Sequence, residues 1–282
     1  YYKDVDDATL IRGAIDGMFN TLDPHSTYMN HEEFRELTEF TSGEFGGIGV
    51  SIEKKDGYIT VVSPIEGTPA HEAGLNTGDI IVSADGVELK DYSLEKAVTF
   101  IKGDPGTKVK LGIIKAGTKD VVYIEITRAL IKIESVKKET PLGRKGEDEI
   151  NDPRIGYIRL TEFSDNTYSD FKEAIEKYKA EGKTGLIIDL RNNPGGLLSS
   201  VIEICKEIIP KGPIVHIDAK GEGNDETYYS ELENPPFKLA VIVNGGSASA
   251  SEILAGAVKD SKVGVIVGTK TYGKGTVQNI LY

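Results

Sequence analysis

At 282 residues the chain has room for one large domain or two modest ones. Apolar residues make up 39% and charged residues 28%, ordinary for a chain that buries a core, and a formal net charge of −12 argues against holding a phosphate backbone as its task. Cys205 is the single cysteine, so no intrachain disulfide can form, and no apolar run is long enough to cross a bilayer as a helix.

Residues 5–22 place Ile11, Ile15, Met18 and Leu22 on one face, which predicts an amphipathic helix ended by Asp23-Pro24. His25, beside that end, reads as a packing or hydrogen-bonding residue. Residues 32–44 predict a short helix and a glycine-bearing connection. From Phe45 to Arg128 the texture changes to short strands (Ile48–Ile52, Tyr58–Val62, Ile80–Val82, Lys108–Ile114, Val121–Ile126) with Gly-rich turns and two helical pieces, Pro69–Ala73 and Ser93–Lys102. The consecutive N–H groups of Gly47, Ile48, Gly49 and Val50 can form a nest for a carboxylate. Residues 139–153 are polar and rich in turn formers, and read as a linker.

After the linker, strands and helices alternate. Ile155–Leu160, Gly185–Leu190, Leu239–Val243 and Val263–Val267 read as buried strands, with Ile214–Ile217 a further candidate. Phe171, Ala174, Ile175 and Tyr178 mark one helix. Leu198, Val201, Ile202 and Cys205 mark the next, which makes Cys205 a core residue and not a nucleophile. Residues 218–236 read as a polar stretch without regular structure. This alternation predicts an α/β layer with a mainly parallel sheet, whose sites lie beyond the carboxyl ends of the strands.

Two turns at such ends carry the chemistry. One is Asn193-Pro194-Gly195-Gly196. The other is Asn244–Glu252, with Ser247, Ser249 and Ser251 on a strand-to-helix turn. A serine there sits at a helix N-terminus, where free N–H groups favour negative charge. Ser249-Ala250-Ser251-Glu252 also reads as a capping box, and that turn alone leaves both readings open. A second stretch follows the last strand, with Lys274 between Gly273 and Gly275 and Gln278 beyond it. If that stretch is extended, Lys274 and Gln278 share a face, because strand side chains repeat with period two.

Taken together, Leu22–Tyr28, the Phe45–Arg128 module, Asp189–Gly196, the Ser249 turn and Lys274 with Gln278 resemble the C-terminal processing peptidases, tail-specific proteases that carry a PDZ domain and a serine–lysine dyad. The resemblance spans nearly the whole chain. It implies a crotonase-like α/β protease core with an inserted β-rich PDZ domain and an N-terminal helical segment, divided as 1–44, 45–128 and 129–282. By the same resemblance Ser249 is the nucleophile, Lys274 the general base and Gln278 its orienting partner. The N–H groups of Ala250 and Gly195, with Gly196 as alternative, would form the oxyanion hole. Asp189 and Arg191 read as structural. Gly47–Val50 would take the carboxylate of a polypeptide with a free apolar C-terminus. A lysine acts as a base only when neutral, which asks for a dry site. Val277 and Ile280 are the apolar residues expected to supply it.

Two rivals remain at this stage: a PDZ-type adaptor without turnover, and a crotonase-like acyl-thioester enzyme. His25, His71 and His216 lack ligand spacing, so no metal is expected, and no cofactor. There is no P-loop and no basic–aromatic patch, so no nucleic-acid partner is expected. The chain opens on Tyr1-Tyr2-Lys3 and closes in an apolar run at Tyr282, so the expectation is a segment of a longer protein, truncated at the C-terminus. The resemblance implies an extracytoplasmic location, with room for a membrane anchor before Tyr1, a homo-oligomer or a regulatory partner.

Overall fold

The computed structural model describes residues 2–23, 25–138, 152–221 and 223–281. Pro24 and most of the expected 139–153 linker lie outside these residues. The chain divides into two units, one of Tyr1–Gly43 with Glu134–Tyr282 and one of Glu44–Ile133.

The first unit begins with two helices. Helix α1 (Asp7–Phe19) starts where the Asp6 carboxylate accepts the Thr9 N–H at 2.9 Å. Helix α2 (His31–Ser42) starts with a capping box, Asn30 accepting the Glu33 N–H and Glu33 accepting the Asn30 N–H, and ends at Gly43 with φ 70°. Arg12 of α1 pairs with Glu33 of α2 at 3.0 Å. The helix ends at Phe19, capped at Asn20 and short of the expected stop at Asp23-Pro24, so Ile11, Ile15 and Met18 form the stripe and Leu22 lies beyond it; the face stays open, with Ile11 60% and Met18 62% exposed.

The second unit contains β1 (Glu44–Gly47), β2 (Val50–Lys55), β3 (Tyr58–Pro64), α3 (Pro69–Glu72), β4 (Ile80–Ala84), β5 (Val87–Glu88), α4 (Leu94–Ile101), β6 (Lys108–Ile114), β7 (Val121–Thr127) and β8 (Ala129–Lys132). Its antiparallel sheet runs β2-β3-β4-β6-β7, with β5 on β4 and a separate β1-β8 pair. The β2–β3 and β4–β5 hairpins turn on Asp56-Gly57 and Asp85-Gly86, all four at positive φ, as a turn matching strand twist requires. Ile48, Ile59, Ile81, Ala97, Leu111 and Ile113 lie in the core. The strand read over Ile48–Ile52 is instead broken at Gly49. Its φ of 76° turns the chain, and a Cβ there would collide with Thr68.

The first unit then resumes with β9 (Val136–Lys137), β10 (Ile155–Leu160), α5 (Thr167–Ala180), β11 (Gly185–Asp189), α6 (Leu198–Ile208), β12 (Gly212–Ile217), β13 (Glu226–Ser230), β14 (Lys238–Val243), α7 (Ala250–Asp260) and β15 (Gly264–Gly268). The sheet runs β15-β14-β11-β10-β9, with every pair parallel except β9 on β10. Ile158, Ile188 and Val241 stand in register on one face and are fully buried, packed in one core with Phe171 of α5, Cys205 of α6 and Leu254 of α7. The stretch 218–236 is not wholly irregular: β13 lies within it and pairs with β12. Its period-two signal is short and lacks apolar residues apart from two tyrosines. Because β11, β14 and β15 are parallel neighbours, the chain leaves all three at the same edge of the sheet, in the crevice where sites of such sheets form.

Candidate active site

The turn after β14 is held from beneath by its outer serines. Ser247 is fully buried, donating its hydroxyl to the Leu190 carbonyl at 2.7 Å and accepting the Asn244 N–H at 3.0 Å. Ser251 is fully buried too, and donates to the Asn193 carbonyl at 3.0 Å. The middle serine, Ser249, is half-buried and stands at φ 53°, ψ −115°, a conformation unusual for any residue but glycine. Ala250 opens α7 directly behind it. A strained residue raised on a strand-to-helix turn, at the positive end of an 11-residue helix, suits a nucleophile.

The turn after β11 comes against this one. Asn193 is fully buried and ties three pieces together: its Nδ2 donates to the Leu160 carbonyl at 3.0 Å, its Oδ1 accepts the Gly195 N–H at 2.8 Å, and its carbonyl accepts the Ala248 N–H at 3.0 Å. Gly195 has φ 105°, and a Cβ there would lie 2.8 Å from the Ser249 Cβ and 3.1 Å from the Ala250 nitrogen. The structure therefore brings Gly195 and Ala250 to Ser249. The Gly195 N–H is engaged with Asn193. Gly196 is bridged to Phe163, but through bonds from the Phe163 N–H to the Gly195 carbonyl and from the Leu197 N–H to the Phe163 carbonyl, neither of which uses its own N–H.

Beyond β15 the chain returns to Ser249 without entering the sheet. Lys274–Gln278 is not a strand, yet the two side chains meet: Lys274 Nζ donates to Gln278 Oε1 at 2.5 Å. Gln278 Nε2 in turn donates to the His25 carbonyl at 2.7 Å. His25 thus serves through its main chain. One carboxylate gathers the two turns. Glu252 Oε2 accepts the N–H groups of Ser249 and Lys274, each at 2.9 Å, and Oε1 accepts the Gly273 N–H at 2.7 Å and the Thr271 hydroxyl at 2.8 Å. Burial pushes this carboxyl up, but the Thr271 hydroxyl and the three N–H groups outweigh it and hold it below its usual range. The dry surroundings expected for Lys274 are not supplied by its neighbours in sequence: Val277 is 49% and Ile280 48% exposed.

Asp189, at the end of β11, is fully buried and is met by Arg191 through Nε at 2.9 Å and by the Tyr157 hydroxyl at 2.8 Å. Burial raises its carboxyl, and these partners more than offset that, leaving it below the ordinary value. Burial pushes the Cys205 thiol up to about 12, so no thiolate forms there near neutral pH. In the second unit Gly47 closes β1, Val50 opens β2, and Ile48 and Gly49 form the turn between. The Ile48 and Gly49 carbonyls face inward, accepting from the Ala70 N–H at 2.7 Å and the Ile65 N–H at 2.9 Å.

Three participants were not evident from sequence as site residues. Glu252 read only as a helix cap, and Asn193 only as part of a turn. The His25 carbonyl left no trace, because a main-chain acceptor has no residue type. Asn-Pro-Gly after a buried strand was the available signal for Asn193, since asparagine folds back on the N–H two residues on.

Residues 154–281 match the peptidase family S41 model, residues 46–126 the PDZ domain model, and residues 1–33 a model of the N-terminal domain of the activating protease CtpB. The chain is 39% identical over 285 residues to a carboxy-terminal-processing protease of Bartonella bacilliformis, covering 98% of this chain and 62% of the relative. It is 40% identical to the carboxy-terminal processing protease CtpA of Bacillus subtilis, covering 99% of this chain and 58% of the relative. Among solved structures it resembles a photosystem II D1 C-terminal processing protease, at 29% identity and a TM-score of 0.52, covering 99% of this chain and 74% of the other. The chain thus spans about three-fifths of the length of these two curated relatives.

Proposed function

We propose that the chain, which matches the peptidase family S41 model over residues 154–281 and is 39% and 40% identical to two carboxy-terminal processing proteases, is a serine endopeptidase that cleaves polypeptides near their C-termini. In this reading Ser249 attacks, Lys274 is the general base and Gln278 orients it. The PDZ unit selects tails with a free carboxylate and an apolar last residue. The observation that carries it is the shared carboxylate oxygen: Glu252 Oε2 accepts the main-chain N–H of both Ser249 and Lys274, at 2.9 Å each.

The Ser249 hydroxyl proton passes to the Lys274 amine as Oγ bonds to the scissile carbonyl carbon. The Ala250 N–H, at the start of α7, receives the developing oxyanion, and the Gly195 N–H joins it once released from Asn193 Oδ1. The lysine ammonium then returns its proton to the leaving amine, giving an acyl-serine that water cleaves by the same steps. Gln278 accepts one Lys274 N–H and is itself fixed by the His25 carbonyl. Being neutral, it aims the amine without adding a charge that would keep it protonated.

A peptide of about 20 residues ending in apolar side chains, followed by mass spectrometry, tests this. Ser249→Ala should cut cleavage by at least about 10³-fold with an unchanged circular dichroism spectrum. Cleavage at the unsubstituted rate would sink the assignment. The reading also places the full-length protein on the extracytoplasmic side, to be checked by cell fractionation.

A further inference from the structure

The open edge of the PDZ sheet carries a charge pattern that the apolar-tail reading leaves unused. Among the described residues strand β2 pairs only with β3, which leaves its other edge to receive an extended peptide. Helix α4 runs alongside that edge in the opposite direction. At its C-terminal end the Gly103 N–H donates to the Gly46 carbonyl at 3.3 Å, and the Lys102 ammonium lies 4.6 Å over the Phe45 ring. At its N-terminal end Lys54 of β2 reaches across, Nζ donating to the Tyr92 carbonyl at 2.8 Å. Between these ends Val50, Ile52 and Leu94 are partly buried against the core. The groove is therefore apolar beside the Gly47–Val50 turn and bridged by an ammonium at its far end.

The far end has more to offer an anion. The Tyr92 and Phe100 rings pack at 5.3 Å, tilted by 49°, and the Lys96 ammonium lies 5.6 Å over Phe100. Two of the acidic neighbours, Glu53 and Glu95, are directed elsewhere. Glu53 points to the opposite side of β2 from Lys54, and Glu95 is held back by hydrogen bonds to its own N–H and to Ser93. Two ammonium groups thus flank one end of the groove in a chain whose net charge is −12.

We infer that the PDZ unit selects substrates by an acidic side chain about four residues upstream of the C-terminus, which takes Lys54 from the Tyr92 carbonyl. The spacing follows from strand geometry. A tail with its carboxylate at Gly47–Val50 runs antiparallel to β2. Directly opposed residues share a face, so the last residue lies by Val50, the second upstream by Ile52 and the fourth by Lys54, roughly 13 Å away. The inference rests on the tail-binding reading above. Lys54 is exposed, so the ion pair is a modest one, and salt weakens it.

The test uses the full chain carrying Ser249→Ala and fluorescein-labelled decapeptides ending in valine, read by fluorescence anisotropy at low salt. The fourth residue upstream is Asp, Asn or Lys, and one Asp peptide is C-terminally amidated. The Asp peptide should bind about three- to fivefold tighter than the Asn peptide, with the Lys peptide weakest. Lys54→Gln, which keeps a donor for Tyr92 but no charge, should remove the difference while leaving Asn-peptide affinity unchanged. Lys54→Glu should reverse the order. Equal binding of Asp and Asn peptides, or a preference that survives Lys54→Gln, overturns the inference. If the amidated peptide binds as well as its free-acid twin, or no peptide binds, the tail-binding reading itself has failed.

Discussion

Glu252 holds Ser249 by its main chain: the carboxylate oxygen that accepts the Ser249 N–H at 2.9 Å accepts the Lys274 N–H at the same distance. A helix cap needs only the first of these bonds. The second, with those to Gly273 and Thr271, makes Glu252 a clamp between the Ser249 turn and the segment that bears Lys274. Glu252→Gln leaves one acceptor oxygen and turns an N–H₂ toward N–H donors. Charge-assisted bonds are worth about 1.5–3 kcal/mol each, so the loss of one costs roughly 10–100-fold. The loss should fall on kcat, with KM for a peptide within about threefold, since the PDZ unit is untouched. Steady-state kinetics beside a thermal melt check this.

Replacing the amide by a charge tests the role of Gln278. In Gln278→Glu a carboxylate takes the place of the Oε1 that now accepts from Lys274 at 2.5 Å. A carboxylate favours the charged ammonium, and the base must be neutral to act. The acid limb of the kcat/KM profile should therefore move to higher pH, with the plateau recovered in alkaline buffer. A profile unmoved along the pH axis and merely lower would mean that Gln278 only fills space.

Gly195 cannot carry a side chain here. Its φ is 105°, and a Cβ would stand 2.8 Å from both the Ser249 Cβ and the Ala248 carbonyl oxygen. Gly195→Ala should cost at least about 10²-fold in kcat by displacing Ser249 and the N–H beside it. Gly256, within α7, has open space around its Cβ position and serves as the control: Gly256→Ala should leave kcat unchanged. Peptide cleavage by the two variants decides.

The carboxyls of Glu252 and Asp189 both sit below their ordinary values, 4.5 and 3.8. The folded state therefore binds these protons less readily than the unfolded chain. Their stabilisation is complete above the ordinary values and drains away as pH falls through the lower folded ones. Thermal midpoints should fall between about pH 5 and pH 3, and less steeply in Glu252→Gln than in the unsubstituted chain. Parallel curves for the two would remove Glu252 from the account.

Much of this was legible in the sequence, because period and punctuation carry it. Runs such as Leu239–Val243 and Gly185–Leu190 are too apolar to lie anywhere but a buried parallel strand, and the glycines that follow mark where each turns. What was not legible are relations between distant segments. Nothing at Thr271 or Gly273 announces that Glu252 binds both, nor anything at His25 that its carbonyl receives Gln278. Helix α1 shows the reverse limit. Its stripe holds for Ile11, Ile15 and Met18, but periodicity cannot say whether a partner covers it. Val277 and Ile280 do not supply the dryness expected for Lys274 for a related reason, since apolar neighbours in sequence can point to solvent.

Holding Ser249 out from its turn has a cost in backbone strain. At φ 53° and ψ −115° the Ser249 Cβ crowds its own backbone, a conformation whose cost is of order 1–3 kcal/mol for a residue with a side chain. Buried partners over-determine it: Ser247 and Ser251 are bonded on either side, Glu252 takes the N–H, and the Asn193 carbonyl receives Ala248. Ser249→Ala and Ser249→Gly both remove the hydroxyl, and both should be inactive, but only glycine relieves the strain. Glycine's freedom in the unfolded chain offsets up to about 1 kcal/mol of that relief. Ser249→Gly should therefore be more stable than Ser249→Ala by about 1 kcal/mol, read from urea unfolding of the two proteins. If Ser249→Ala proves the more stable, the turn is relaxed, and the serine is held out by its neighbours' bonds alone.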